Sequence, residues 1–134
     1  ESLIHSLQNA DESAILGVEI PKEKVDKYGV LSIKDGKLTG VVEKPSVEEA
    51  PSNMINVSKY IMSKDLLRRI VNYVKSHDFG PLDQEYLVTD PIDEYINEGG
   101  VMRVAPTTGE YLDGGSVEGW VHANNVVTSY KKAK

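Results

Sequence analysis

The order of apolar and polar positions at the start of the chain predicts a helix followed by a buried strand. Leu3, Ile4 and Leu7 recur at helical spacing within residues 2–9. Residues 14–20 form a mostly apolar run, which is typical of a strand that is covered on both faces. The chain therefore opens with a helix that leads into what we expect to be a central strand.

Two further strand-like runs flank the dipeptide Asp35-Gly36. An Asp-Gly pair is favoured in two-residue hairpin turns because both turn positions need a positive φ. We therefore expect residues 30–34 and 37–43 to form an antiparallel hairpin. A third apolar run predicts another strand over about 54–62.

Ser63 stands directly before a segment with helical periodicity and can cap its first turn. Apolar residues recur in that segment at spacings of three and four, so we expect them to form a buried stripe. The residues of this stripe are Leu66, Leu67, Ile70, Val71 and Val74.

A second helix is predicted to begin at Asp90-Pro91, with the acid as the cap and proline in the first turn. Gly99-Gly100 is the expected end of this helix, because glycine adopts the left-handed conformation that closes helices. The apolar face of the helix comprises Ile92, Tyr95 and Ile96.

The last part of the chain predicts two strands and a final helix. VMRVAP, over 101–106, is typical of a strand, EYLD, over 110–113, indicates a short one, and Ser116 can cap the helix. The first apolar positions of this helix are Val117, Trp120 and Val121. Their helical spacing leads us to expect Trp120 in the core. Because helices and strands alternate around one hairpin, the pattern predicts an α/β layered domain.

Composition narrows the class of protein. A chain of 134 residues with 40% hydrophobic content fits one globular domain. The net charge is −6 and no long basic run occurs, so we expect no nucleic-acid partner. No segment approaches the roughly 20 apolar residues of a membrane span, so we expect no membrane partner either. The absence of cysteine excludes disulfide scaffolds, thiol catalysis and zinc–thiolate sites, and it is compatible with the cytoplasmic location that we expect.

The first candidate site is Glu43-Lys44-Pro45, at the end of the second hairpin strand. Neighbouring strand residues point to opposite faces, so Glu43 and Lys44 are not expected to pair with each other. In the simplest interpretation both are solvated and Pro45 stops the strand. In the functional interpretation Lys44 binds a phosphate and Glu43 accepts hydrogen bonds from sugar hydroxyls, since ligands often bind at strand ends in α/β sheets.

Two glycine-containing segments give further candidates, each with two interpretations. Asp113, before Gly114-Gly115, forms either a turn or a carboxylate ligand for Mg²⁺. Gly29, which follows Tyr28, either relieves a tight corner or exposes its backbone to a sugar ring. Periodicity does not decide between these interpretations.

Four segments, taken in order, resemble one family. They are VDKYGVL at 25–31, GVVEKPSVEEAPSNMINVSKY at 40–60, EYLVTDPIDEY at 85–95 and EYLDGGSVEGWVHANNVV at 110–127. Together they resemble the C-terminal half of the bacterial UTP–glucose-1-phosphate uridylyltransferases, within the sugar-phosphate nucleotidyltransferase family. The proline-containing spacer after Glu43-Lys44 is more similar to uridylyltransferases than to thymidylyltransferases.

The resemblance implies a fold and a set of roles. Residues 1–134 would be the sugar-phosphate-binding C-terminal portion of a nucleotide-diphospho-sugar transferase domain, a mixed-sheet α/β/α fold with an inserted β-hairpin. Lys44 would be the catalytic lysine that binds the sugar phosphate, Glu43 would hold sugar hydroxyls and Gly29 would contact the sugar through its backbone. Asp113 would be the second aspartate that binds Mg²⁺. The implied reaction joins UTP and glucose 1-phosphate to give UDP-glucose and pyrophosphate.

The resemblance also implies what is missing. The family's glycine-rich nucleotide-binding segment and its first magnesium aspartate have no match here, so we expect the isolated chain to be inactive. A sheet left uncovered would favour self-association, so we expect a homo-oligomer. Two alternatives stay open: a non-catalytic sugar-phosphate-binding or assembly module, and an enzyme that uses dTTP or another hexose 1-phosphate.

Overall fold

The computed structural model describes residues 2–76, 87–108 and 110–132. Four α-helices, five strands and a 3₁₀ helix over Lys22–Lys27 form the described part of the chain. In chain order the elements are α1 (Ser2–Ser6), β1 (Ser13–Glu19), β2 (Gly29–Lys34), β3 (Lys37–Glu43), β4 (Met54–Ile61), α2 (Lys64–Ser76), α3 (Thr89–Asn97), β5 (Met102–Thr107) and α4 (Val117–Lys132).

The strands close into a small barrel in the order β1-β4-β2-β3-β5. β1 runs parallel to β5 and antiparallel to β4, so the sheet is mixed, as the α/β fold prediction requires. The seam between β3 and β5 consists of a single pair, Lys37 with Arg103. Both strands of the predicted hairpin belong to the barrel wall.

The hairpin turn has the conformation that its sequence favours. Asp35 has a φ of 51° and Gly36 a φ of 72°. Two successive positive φ values characterise the type I′ turn, whose twist matches that of the flanking strands. The hairpin prediction is therefore confirmed.

The core consists of two clusters of buried side chains. β1 contributes to both, in keeping with the prediction that it is covered on both faces. The larger cluster comprises Ile15, Leu31, Leu38, Leu66, Ile92, Tyr95, Met102 and Val104. The smaller cluster comprises Val18, Val25, Val30 and Ile55. The smaller one lies beneath Tyr28 and Tyr111, which pack against it.

Ser63 caps α2 as predicted, since its Oγ accepts a hydrogen bond from the Leu66 backbone N–H at 3.2 Å. The width of the buried stripe, however, was predicted wrongly. Leu66 is fully buried and Ile70 is half-buried, whereas Leu67, Val71 and Val74 are 40–49% exposed. Counted from Leu66 at about 100° per residue, Ile70 lies about 40° round the helix and the exposed three lie about 80–140° round it. The described chain therefore covers only one edge of the apolar face.

This difference gives a matched pair of variants on α2. Leu66→Ala is expected to lower the free energy of unfolding by about 2–5 kcal/mol, because it leaves a cavity in the core. Leu67→Ala removes a side chain of the same size from a half-exposed position and should cost less than about 1 kcal/mol. Urea unfolding measures both, and equal losses would contradict the burial seen here.

The start of α3 differs from its prediction by two residues, since the cap position is Val88 and not Asp90. The helix begins at Thr89, after Val88, and no side chain caps it. Asp90 lies inside the first turn, where its carboxylate accepts a hydrogen bond from the Tyr73 hydroxyl at 2.6 Å. The cap prediction for Asp90 is therefore wrong. A carboxylate in the first turn is still favourable because it faces the positive end of the helix dipole.

The end of α3 follows its prediction. Gly99 has a φ of 93°, and the Gly100 N–H donates to the Tyr95 carbonyl at 2.9 Å. This pattern is the glycine-dependent closure of a helix. Ile92 and Tyr95 are buried and Ile96 is half-buried, so the predicted apolar face is confirmed.

The chain after β5 departs most from expectation. Residues 110–113 are irregular, so the predicted short strand is wrong; Tyr111 packs against Tyr28 instead of joining the sheet.

Ser116 caps α4 as predicted, accepting a hydrogen bond from the Gly119 N–H at 3.0 Å. Trp120 is 60% exposed, so its predicted place in the core is wrong. No other helix or strand in the described chain makes extensive contact with α4.

A buried ion pair ties the start of β1 to β5. The Glu12 carboxylate accepts hydrogen bonds from Arg103 Nη2 at 2.8 Å and Nε at 3.1 Å, and from the Gln8 backbone N–H at 2.8 Å. The Arg103 guanidinium, followed by the Gln8 amide, lowers the pKa of Glu12 from its ordinary 4.5 to about 2.

The free energy of unfolding should depend on pH through the Glu12 carboxylate. Because its pKa is lower in the folded state, its stabilisation is present above about pH 4.5 and is lost as pH falls towards 2. We expect urea midpoints of the wild type to fall across this window, and Glu12→Gln to flatten that fall. Glu48→Gln, at an exposed position, is the control. Parallel pH profiles for wild type and Glu12→Gln would contradict the assignment.

No helix within the described ranges is both long enough and apolar enough to cross a membrane. The apolar residues exposed on α4 are compatible with self-association, and the homo-oligomer stays a prediction.

Candidate functional site

Gly29 and Glu43 lie opposite each other on β2 and β3, at the end of the hairpin away from its turn. The Glu43 carboxylate extends over Gly29, so that a Cβ there would lie 3.0 Å from Oε1 and 3.1 Å from Oε2. A larger residue in place of Gly29 would therefore displace the carboxylate. Two of the residues predicted for sugar binding thus lie together, and Gly29 makes room for Glu43.

Lys44 follows β3 in a left-handed conformation, with a φ of 45° that is uncommon for a residue with a side chain. Its backbone N–H donates to the Tyr28 carbonyl at 3.1 Å, and buried Pro45 follows. The side chain is exposed and forms no hydrogen bond or ion pair within the described part of the chain. Lys44 thus follows Glu43 with a strained backbone, and residues with such strain cluster at functional positions.

Asp113 forms the turn that its sequence context favours. Its Oδ1 accepts a hydrogen bond from the Gly115 N–H at 2.9 Å, which closes an Asx turn. The carbonyl oxygen of Asp113 also contacts the position that a Cβ on Gly119 would occupy, so the glycine lets α4 begin close to this turn. The turn interpretation is confirmed, and it leaves the second carboxylate oxygen for another role.

Tyr28, directly before Gly29, and Tyr111, two residues before Asp113, contact each other through their rings. Their rings meet edge to face, with centroids 5.6 Å apart and an interplanar angle of 89°. Burial raises the pKa of both phenols, and the negative charge of the Asp113 carboxylate raises each further. Sequence reasoning missed this contact. The only available signal was that each tyrosine stands within two residues of a predicted site residue.

Two clefts lie near the candidate residues. One of about 300 Å³ is lined by the tyrosine pair, and a contact of 2.9 Å between His122 Nε2 and Glu110 Oε1 forms part of its wall. Its polar and aromatic lining comprises Glu19, Lys24, Tyr28, Glu110, Tyr111 and His122. A larger cleft of about 830 Å³ lies between the start of β1 and helices α2 and α3. Neither of these two clefts is lined by Lys44 or Asp113.

Asp113 fits Mg²⁺ as one ligand but not as a complete site. No cluster of three or more potential metal ligands occurs among the described residues. Mg²⁺ commonly takes one or two protein carboxylates and fills its other positions with water and phosphate oxygens. A single half-buried carboxylate with one oxygen engaged in a turn is compatible with that pattern.

Comparison with known proteins gives a consistent group. Residues 2–129 match the family described as Nucleotidyl transferase. The UTP–glucose-1-phosphate uridylyltransferase of Pseudomonas aeruginosa is 32% identical over 125 residues, which cover 89% of this chain and 43% of the relative. The enzyme of the same name from Haemophilus influenzae is 31% identical over 130 residues, covering 91% and 42%. A crystal structure of a UDP-glucose pyrophosphorylase complexed with UDP-glucose superimposes with a TM-score of 0.70 at 29% identity, covering 93% of this chain and 46% of that one.

The chain spans less than half the length of these relatives. The comparisons do not confirm that it corresponds to their C-terminal half, so that placement stays a prediction. The family match nevertheless covers nearly the whole chain, and both curated relatives exceed 30% identity over about nine-tenths of it. This chain therefore belongs to the nucleotidyl transferase family.

Proposed function

We propose that this chain forms the sugar-phosphate side of a UTP–glucose-1-phosphate uridylyltransferase, as the C-terminal portion of its catalytic domain. The observation that carries the proposal is the grouping of Gly29, Glu43 and an unpaired Lys44 at one end of the β2–β3 hairpin. The uridylyltransferase relatives, similar over about nine-tenths of the chain, support the choice of reaction.

Each residue has a role that follows from its chemistry. The Lys44 ammonium binds phosphate oxygens of glucose 1-phosphate as a compact charge. Glu43 accepts hydrogen bonds from sugar hydroxyls, and Gly29 makes room for this carboxylate while its own backbone groups contact the sugar. A phosphate oxygen of the bound sugar phosphate attacks the α-phosphorus of UTP, and pyrophosphate leaves. Lys44 contributes by holding the attacking group in place, since positioning dominates this class of reaction.

Asp113 supplies one carboxylate for Mg²⁺ in this proposal. The metal, when bound, neutralises phosphate charge. Asp113 is held for this role by its Asx turn and by the close start of α4. The proposed cofactor is thus Mg²⁺, and the proposed substrates are UTP and glucose 1-phosphate.

The test is an assay of the natural gene product that contains this chain. Purified protein with Mg²⁺, UTP and glucose 1-phosphate should release pyrophosphate and form UDP-glucose. Parallel reactions with dTTP, ATP and galactose 1-phosphate determine the nucleotide and sugar preference. Turnover that is absent with every combination contradicts the proposal, and faster turnover with dTTP replaces it with a thymidylyltransferase.

A non-catalytic sugar-phosphate-binding module is the second candidate. It is favoured by the described residues themselves, which bring only one candidate lysine and one candidate metal carboxylate to the site. Calorimetric titration of the 134-residue chain tests sugar-phosphate binding, and turnover of the natural gene product distinguishes the two candidates. Millimolar binding of glucose 1-phosphate, about 4 kcal/mol, without UTP binding fits both candidates. A natural gene product that binds the sugar phosphate without any turnover supports the module alone.

A further inference from the structure

Tyr28 contacts both ends of the candidate site. Its backbone carbonyl accepts the Lys44 N–H at 3.1 Å, and its ring packs edge to face on Tyr111, two residues before Asp113. Lys44 and Asp113 are 69 positions apart in sequence (113 − 44). Tyr28 therefore connects the lysine end of the site to the aspartate end through one backbone contact and one ring contact.

The backbone contact acts on a strained residue. Lys44 has a φ of 45°, and a residue with a side chain keeps such a conformation only where its surroundings impose it. The Tyr28 carbonyl is one such constraint, and Tyr28 is itself held at the end of the 3₁₀ helix, where its N–H donates to the Val25 carbonyl at 3.1 Å. Movement of Tyr28 would therefore change the direction in which Lys44 leaves the hairpin.

The ring contact acts on an irregular segment. Residues 110–113 belong to no strand, and Asp113 follows Tyr111 by two residues in this irregular segment. The half-buried Tyr28 ring rests on the smaller core cluster, which makes it a fixed surface for Tyr111. The position of Asp113 relative to the barrel thus depends on the packing of these two rings.

We propose that Tyr28 is a positioning residue that, together with Tyr111, sets the distance between the Lys44 ammonium and the Asp113 carboxylate. This inference rests on the proposed function. In that reaction a sugar phosphate bound by Lys44 and a nucleotide whose metal is held by Asp113 must lie at a fixed distance from each other. A misplacement of about 1 Å can cost up to about 100-fold in rate. Tyr28 touches no substrate in this role.

The kinetic test uses the natural gene product, four variants of the tyrosine pair and one control variant. Tyr28→Leu and Tyr111→Leu should each lower kcat between about 10-fold and 100-fold and raise the Mg²⁺ concentration for half-maximal rate. Tyr28→Phe keeps the ring and should restore both quantities. The double variant Tyr28→Leu/Tyr111→Leu should be no worse than either single one, because both remove the same contact. Tyr130→Leu, on the exposed face of α4, is the control.

A second test needs no turnover. In NMR spectra of the 134-residue chain, Asp113→Asn should shift the Lys44 backbone amide resonance, and this shift should fall at least by half in the Tyr28→Leu background. An equal shift in both backgrounds overturns the inference, as does an unchanged kcat and Mg²⁺ requirement in Tyr28→Leu. A wild type without turnover contradicts only the proposed function, and the NMR result then decides the role of Tyr28.

Discussion

Lys44→Ala is expected to lower the turnover of the natural gene product by about 10²–10³-fold, a loss typical of removing one group that stabilises charge in a transition state. The free energy of unfolding should change by no more than about 0.5 kcal/mol, because the side chain is exposed. Alanine at φ 45° bears a backbone strain similar to that of lysine, so the substitution removes the charge without relieving the backbone. Pyrophosphate release and urea unfolding measure the two quantities.

Two further variants test whether the loss of turnover is specific to the ammonium group of Lys44. Lys44→Arg keeps the positive charge but replaces a compact ammonium by a planar guanidinium, so we expect partial turnover. Lys34→Ala removes an exposed lysine from the far end of β2 and should leave turnover unchanged. If Lys44→Ala retains wild-type turnover, Lys44 is a solvated side chain at a strand end, and the proposed sugar-phosphate site loses its principal residue.

Local signals in the sequence predicted the local structure well. The Asp35-Gly36 turn, the Ser63 and Ser116 caps and the closure at Gly99 all depend on φ values or hydrogen bonds within a few residues. Such features are set by the identity of one or two side chains, whatever the rest of the chain does. The cap prediction for Asp90 was wrong because the helix already begins at Thr89, so that Asp90 lies inside the first turn.

Burial could not be predicted with the same success. Periodicity identifies the apolar face of a helix, but the extent of burial depends on which elements pack against it. Trp120 and Leu67 show this, since each lies at a correct helical spacing and yet is exposed in the described chain. The closing of the barrel by the Lys37–Arg103 pair is a non-local event for which the sequence carries no local signal.

The pairing of Gly29 with Glu43 could not be predicted from the sequence, because it depends on the register of the two strands. A two-residue turn at Asp35-Gly36 pairs Lys34 with Lys37, and regular counting from there would place Gly29 opposite Val42. A bulge between Ser32 and Ile33 shifts the register by one residue and places Glu43 opposite Gly29. Because a one-residue shift moves every later side chain to the other face, the bulge decides which side chain covers the glycine.

Lys44 gives a second example. The expectation that Glu43 and Lys44 point apart came from strand alternation, but β3 ends at Glu43 and Lys44 adopts a left-handed conformation. Strand alternation therefore does not apply at Lys44. Gly29, Glu43 and Lys44 lie together at one end of the hairpin, and whether they form the site that the resemblance implies is untested. Their catalytic roles stay predictions.

Asp113→Asn separates the turn from the proposed metal site. The amide oxygen of asparagine can still accept the Gly115 N–H, so the Asx turn and the start of α4 should persist. Loss of one negative charge should raise the Mg²⁺ concentration for half-maximal rate by at least about tenfold, since even residues that only orient metal ligands matter by 10–100-fold. Turnover at a fixed Mg²⁺ concentration should fall at the same time, because fewer molecules carry the metal.

The decisive comparison is a Mg²⁺ titration of turnover in wild type, Asp113→Asn and the control Asp26→Asn, which alters an exposed aspartate in the 3₁₀ helix. Urea unfolding of the same proteins should give midpoints close to one another, because asparagine preserves the turn. Coincident Mg²⁺ titrations would assign Asp113 to the turn alone. A raised Mg²⁺ requirement with unchanged stability, confined to Asp113→Asn, supports its role as a metal ligand, because the turn hydrogen bond is the same in both proteins and only the carboxylate charge differs.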